Sequence, residues 1–299
     1  MKTVAIIGST ASGKSDLALS LACRHNANIL SIDSLSIYRG IDIASAKPTK
    51  EELATVPHFG IDRLSPDQPA SVMTFIDEYY RAREQCRLEE RHLIIVGGSS
   101  FYLKSMLEGL SEVPAYTPET LLKTRLMLQD LPLAYRTLYD NDPVSMAKIH
   151  PTDAYRIEKM ALIFCATGLP PALWFQNHPP KPVLTECPVF EIRPERSLLR
   201  ERISLRTHKM VKSGLIDEVA ELERLYGRSP NSMKAIGIIE TLDYLDGKYS
   251  RTQLIEAVTT HTSQLAKRQQ TFNATQFNTV ETGTADELFD AVTCYLQES

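Results

Sequence analysis

Residues 8–15 read GSTASGKS, placed between the apolar run Val4-Ala5-Ile6-Ile7 and the start of a helical pattern. Gly8, Gly13, Lys14 and Ser15 stand at the spacing of a phosphate loop, GxxxxGK[ST], in the strand–loop–helix setting that the motif requires. Few features constrain a fold more. A strand must run up to the loop, a helix must leave it, and the backbone N–H groups around Gly8–Gly13 must wrap an anion at the helix N-terminus. Lys14 then neutralises a terminal phosphate and the Ser15 hydroxyl reaches Mg²⁺. The plain alternative is a glycine-rich turn with an exposed lysine. The loop alone does not say whose phosphate it holds, that of a nucleotide such as ATP or the diphosphate of another molecule.

The rest of the chain agrees with an open α/β sheet. Short apolar runs at residues 3–7, 28–32, 92–96, 189–192 and 277–280 read as buried parallel strands. The first three end in turns rich in Gly, Ser or Asp, and helical patterns such as 14–25 and 72–89 fill the gaps. Ligands of such sheets bind at the carboxyl ends of the strands. Between residues 116 and 184 the strand signal disappears. Helical segments at 119–129, 133–139, 143–149, 153–167 and 171–176 replace it, and the proline-rich run His178-Pro179-Pro180-Lys181-Pro182 leads back to the next strand. This stretch reads as a helical insertion at 116–184, between 1–115 and 185–299 of an α/β core. Ordinary core helices are the other reading.

Composition narrows the class. The chain has 299 residues and a net charge of −4, which argues against coating nucleic acid by bulk charge but leaves room for a local basic patch. Its five cysteines form no CxxC pair, as expected of reduced thiols in a cytoplasmic protein. No run of 18 apolar residues is present, so no membrane span or signal peptide is expected. The histidines form no HxxxH pair, and there is no GxSxG elbow.

Several side chains are candidates for chemistry. Asp33 ends the second apolar run and emerges beside the phosphate loop, where a carboxylate acts as general base, as a turn or cap residue, or as an indirect Mg²⁺ contact. Ser99, in Val96-Gly97-Gly98-Ser99-Ser100 after the third strand, either hydrogen-bonds a substrate or caps the next helix. Residues 193–212 carry seven Lys or Arg against two Glu, with Arg202 and Arg206 on one helical face and Lys209 beside them. Such a stripe suits a diphosphate, a nucleic-acid backbone, or simply solvent.

Taken together the segments resemble the tRNA dimethylallyltransferase (tRNA isopentenyltransferase) family from Thr3 to about Phe272. GSTASGKS resembles the family's GPTASGKS. SIDSLSIYRGIDIASAKP resembles DSxxxYxGxDIGTAKP, and GGSSFYLKSMLEGL resembles GGTxxYxxALxxGL. HPTDAYRIEKMAL, AIGIIE and LAKRQQTF resemble HPNDxxRxxRALE, AIGYKE and AKRQxTW. Six matches in the right order are specific where each alone is not.

The resemblance implies a P-loop NTPase-like parallel sheet core flanked by helices, with an all-helical insertion that grips the tRNA anticodon stem. It implies transfer of a dimethylallyl group from dimethylallyl diphosphate to N6 of the adenosine immediately 3′ of the anticodon, in tRNAs reading codons that begin with U. By it, Asp33 is the general base and Ser99 helps hold the adenine. The loop residues Gly8, Ser9, Thr10, Ala11, Ser12, Gly13, Lys14 and Ser15, with Arg206, hold the donor diphosphate with Mg²⁺ at Ser15. The implied tRNA contacts are Asp33, Ser34, Leu35, Ser36 and Ser99, then Tyr155, Arg156, Ile157, Glu158 and Lys159, then Lys234, Ala235, Ile236, Gly237, Ile238 and Ile239. A cytoplasmic monomer is expected. The chain departs from the family pattern at Ser263, where arginine is usual. It departs also at Lys159 and Ile163, at Ile238 and Ile239 in place of Tyr-Lys, and at Phe272 in place of tryptophan. Two other classes stay open on the loop alone: a small-molecule kinase using ATP, and a non-catalytic nucleotide-binding module.

Overall fold

The computed structural model describes residues 1–298. The chain divides into two compact units, Met1–Leu107 with Leu184–Ser299, and Glu108–Val183. In the larger unit β1 (Thr3–Gly8) leads through α1 (Lys14–Arg24) to β2 (Ala27–Ser31). Then follow α2 (Lys50–Thr55), β3 (His58–Phe59), α3 (Val72–Glu89), β4 (His92–Gly97) and α4 (Ser100–Glu108). The smaller unit holds α5 (Pro118–Met127), α6 (Leu131–Asn141), α7 (Pro143–Met146), α8 (Ala154–Thr167) and α9 (Pro171–Asn177). The chain returns through β5 (Val189–Ile192), α10 (Arg196–Lys212), α11 (Leu215–Tyr226), α12 (Ile238–Leu245), α13 (Arg251–Gln276), β6 (Glu281–Gly283) and α14 (Ala285–Gln297).

The six strands form one parallel sheet in the order β3-β2-β4-β1-β5-β6. Every residue of β1 is buried, because the strand lies between β4 and β5 and helices cover both faces. Alternation decides which helix each side chain meets. Val4 and Ile6 of β1, Ile94 and Val96 of β4, and Phe190 and Ile192 of β5 pack with Leu17 and Leu21 of α1 and Leu288 and Val292 of α14. The intervening Ala5, Ile7, Leu93 and Ile95 are just as buried on the other face. The connections leaving the neighbours β1 and β4 run to opposite sides of the sheet, to β2 and to β5. Their carboxyl ends therefore border the crevice where open α/β sheets bind ligands.

In the smaller unit the N-caps read directly from sequence. Thr117, Asp130, Asp142 and Asp153 each accept a backbone N–H of the following helix, and prolines occupy the first turns of α5, α6, α7 and α9. Ala134, Leu138, Met146, Ile157 and Ala161 form its core. An antiparallel bridge between Leu110 and Lys181 joins the outgoing and returning chain, so the unit starts at Glu108 rather than at 116, where the helical pattern begins.

One expectation needs correction. The run at 277–280 is not a strand; α13 continues to Gln276, Phe277 caps it and packs edge-on against Phe272, and the sheet is completed by β6 at Glu281–Gly283. The basic stretch forms α10 from Arg196, and Arg193 before it pairs with Glu191. The two-residue β3 carries too little pattern to be read in advance. Among the described residues no helix is long and apolar enough to cross a membrane. Because Ile94 is fully buried at the middle of the sheet, Ile94→Ala is expected to lower the unfolding free energy by about 2–5 kcal/mol, measured by urea denaturation.

Candidate active site

The carboxyl edge of the sheet opens into a cleft of about 1140 Å³, lined among others by residues 10–15, Asp33, Ser99, Arg202, Arg206, Lys234 and Gln269. All of these lie in the larger unit. Gly13 takes φ +95° at the N-cap of α1, a conformation that costs glycine little. It makes no side-chain cap, so the first-turn N–H groups of α1 remain for an anion. Ser12 lines the cleft, and its buried Oγ has no partner among the described residues.

Lys14 donates to the Ser9 carbonyl at 3.2 Å. Lys14 is partly buried and borders the cleft. Burial pushes its pKa down to about 8; the Asp33 carboxylate opposes that shift and the Arg206 guanidinium adds to it. Arg206 is itself lowered by burial and raised by Asp33. The three charges therefore sense one another across the cleft. Arg206 Nη2 donates to Ser45 O at 3.4 Å, and Arg202 Nη1 donates to Ser12 O in the phosphate loop at 3.1 Å. Lys209 faces outward on the same helix.

Asp33 has two separate tasks for its two oxygens. Oδ1 accepts the N–H groups of Leu35 (2.9 Å) and Ser36 (3.2 Å), the turn role that the sequence left open. Oδ2 makes no hydrogen bond among the described residues, and Asp33 lines the cleft. Ser99 Oγ accepts from Ser34 N at 3.3 Å, which leaves its O–H to donate elsewhere. The loop after Gly40 is pinned from the far side by Glu218, which accepts the N–H groups of Asp42, Ile43 and Ala44 at 3.0, 2.7 and 2.9 Å.

The remaining candidates separate by burial. Lys234, Ala235 and Ile236 line the cleft, Ile239 is exposed, and Gly237 and Ile238 are buried, which gives Ile238 a packing role. Leu35 and Ser36 border the cleft, with Ser36 buried. In the smaller unit Tyr155, Arg156, Glu158 and Lys159 are exposed on the first turns of α8, with Lys159 Nζ over the Tyr155 ring, while Ile157 is fully buried in that unit's core. Its side chain is therefore no surface contact. Sequence reasoning missed Gln269, whose amide accepts from Thr10 N at 2.8 Å and donates to Gly98 O at 2.9 Å. Its signal was the segment LAKRQQTF, whose match to AKRQxTW places the fixed glutamine at Gln269 and leaves Gln270 variable.

A protein-family model described as IPP transferase matches residues 36–276. The tRNA dimethylallyltransferase of Sulfurimonas denitrificans is 50% identical over 292 residues, 98% of each chain. The chain belongs to this family. A relative of the same name from Helicobacter pylori is 40% identical, across 97% of this chain and 93% of its own. A solved tRNA isopentenylpyrophosphate transferase from Bacillus halodurans matches with a TM-score of 0.72 and 29% identity, over 99% of this chain and 97% of its own. A eukaryotic dimethylallyltransferase solved while acting on tRNA shares the fold at a TM-score of 0.81 and 24% identity, over 99% of this chain and 77% of its own. The sheet is that of these P-loop NTPase-like enzymes.

Lys14 binds an anion only when protonated. The affinity of the free protein for pyrophosphate is therefore expected to fall as pH rises through about 8, approaching about tenfold per pH unit. Lys14→Met should be weaker throughout and lack that dependence. Titration calorimetry of both proteins across this range checks it, and a constant ratio of their affinities would contradict it.

Proposed function

We propose that this cleft transfers a dimethylallyl group from dimethylallyl diphosphate to N6 of the adenosine immediately 3′ of the anticodon, in tRNAs reading codons that begin with U. The observation that carries the reading is the convergence of Lys14, Arg206 and the free Oδ2 of Asp33 on one cleft, in a chain related over nearly its full length to tRNA dimethylallyltransferases.

The chemistry suits these groups. Breaking the allylic C–O bond places negative charge on a leaving diphosphate. Lys14, Arg206, the α1 N–H groups and the Ser12 hydroxyl are aimed at that charge before it develops. The amine of adenine attacks the allylic carbon, the C–O electron pair leaves with diphosphate, and the N6 proton passes to Asp33 Oδ2 and on to solvent. Ser99, free to donate, holds the base edge beside Asp33. The adenine must leave its stack to enter, as bases do in enzymes that act on their edges.

Among the described residues no group of three His, Cys, Asp or Glu is placed to cage a metal. A diphosphate-borne Mg²⁺ fits, because that ion takes few protein ligands and keeps phosphate oxygens and water. The exposed Ser15 hydroxyl at the start of α1 would hold it, and it would supply further neutralisation of the leaving group. The exposed Tyr155, Arg156 and Lys159 of the smaller unit offer a cationic, aromatic face for the anticodon stem. The protein acts as a monomer.

Incubation of the protein with Mg²⁺, an anticodon stem-loop and either labelled dimethylallyl diphosphate or ATP tests the reading. Label is expected in the RNA from the allylic donor only; ATP consumption without such transfer would return the kinase reading. Asp33→Ala is expected to lower kcat about 10²–10⁴-fold with RNA affinity little changed, and a wild-type rate would remove Asp33 as base. Arg206→Ala should raise the donor KM about 10–100-fold, read from initial rates.

A further inference from the structure

The last residues paired between β1 and β4 are Ile7 and Gly97. Beyond them the two strands continue as separate loops, one carrying Lys14 and the other Ser99. The side-chain amide of Gln269 lies between these loops. Its Oε1 accepts from the Thr10 N–H of the phosphate loop at 2.8 Å, and its Nε2 donates to the Gly98 carbonyl, next to Ser99, at 2.9 Å. One amide thus supplies the acceptor and the donor that another rung of the sheet ladder would have supplied.

The arrangement is built rather than incidental. A Cβ at Gly98 would stand 2.6 Å from Gln269 Nε2 and 3.7 Å from Lys14 Nζ, so the absence of a side chain there is what admits the amide. One turn further along α13, Asn273 donates to Oε1 of Glu191 at 2.8 Å. Glu191 is a buried β5 residue whose other oxygen takes Arg193. Gln269 and Asn273 share one helical face, so α13 is fastened to the carboxyl ends of β1, β4 and β5 together.

We propose that Gln269 is a positioning residue for the transfer. Resting on the function proposed above, it holds the loop that grips the donor diphosphate and the loop that holds the acceptor base at one separation. That separation sets the distance from the allylic carbon to the attacking amine. Gln269 touches no reacting atom. The groups that bind each substrate lie on the separate loops and survive its loss, so its removal is felt in kcat more than in either KM. A misplacement of about 1 Å between reacting groups costs about 10²-fold in rate.

The decisive variant is Gln269→Glu, which keeps the length and the acceptor for Thr10 N–H. An ionised carboxylate cannot donate to Gly98 O, whereas the protonated acid can. At neutral pH its kcat with both substrates saturating is expected to be about 10–100-fold below wild type; its RNA KM should stay within about threefold, while the added charge against the phosphate loop raises its donor KM. The ratio of variant to wild-type kcat should then climb as pH is lowered through the carboxyl range, about pH 4–6. Using the ratio cancels the pH dependence that the two proteins have in common. Gln269→Ala should be equally slow and show no such climb. A residue that served stability alone would change the melting temperature and leave the ratio flat.

A Gln269→Glu protein that keeps the wild-type kcat at neutral pH, or a ratio that does not vary with pH, overturns the positioning role while the wild-type transfer stands. A wild-type protein that transfers no allylic group overturns the functional reading, and the role with it.

Discussion

The site depends on one electrostatic condition: a partly buried ammonium and guanidinium border one cleft, and Asp33, with Asp16 at Lys14, offsets their loss of solvation only in part. Lys14 and Arg206 each lose solvation, and Arg206 also disfavours the charge of Lys14; Asp33 opposes the shift of both, and Asp16 opposes that of Lys14. Such an arrangement is incomplete without an anion. A diphosphate contributes negative charge where the protein has left it deficient, and the helix terminus beneath adds to the attraction. Preorganisation of this kind is also what an ionising allylic ester requires, since the charge to be stabilised appears on the same oxygens that the ground state already presents.

Holding that geometry falls to loops, and loops lack a ladder to satisfy their amides. The chain solves this repeatedly with carboxylates. Glu218 takes three successive N–H groups of the loop whose Ser45 carbonyl receives Arg206. Glu78, buried, takes Gly60 N with Arg63 and Arg81. Glu240 takes Gly237 N and meets His261 across to α13. Each is either paired with a cation or given several donors, as a carboxylate withdrawn from water must be. Charged staples of this sort fix a loop's conformation more tightly than apolar packing would, because each amide has one partner and one direction.

What was legible in advance follows from the range over which each feature is determined. The phosphate loop, the five longer strands except the last, and the helical run of the smaller unit are set by neighbours in sequence, and the residues announce them. Asp33, Lys14 and Arg206 were nameable because each belongs to a segment with its own pattern, and the cleft brings them together. Gln269 was not, because its meaning lies in Thr10 and Gly98, far away in the chain. Ile157 and Ile238 show the opposite limit: a segment match assigns a role to every residue in it, whereas a helix presents only some side chains to the surface, and these two are buried.

That distinction also bears on the departures from the family pattern. Ile238 is fully buried, so an apolar residue there satisfies the packing of α12 and subtracts nothing from the surface. Ser263 bonds back to the Thr259 carbonyl of its own helix, and Thr262, not Ser263, borders the cleft. A cation usual at that position is thus missing, while Lys14, Arg202 and Arg206 keep theirs. Phe272 packs edge-on against Phe277 where the helix ends, an aromatic contact that a tryptophan would also make but with a donor needing a partner. Ile239 and Lys159 alone combine substitution with exposure. Divergence at these positions is therefore largely absorbed by packing or exposed away from the cleft, whereas Ser9, Ala44, Ser45 and Ser99, in place of the usual Pro, Gly, Thr and Thr, lie beside the charge cluster, with Lys14, Asp33 and Arg206 themselves unchanged.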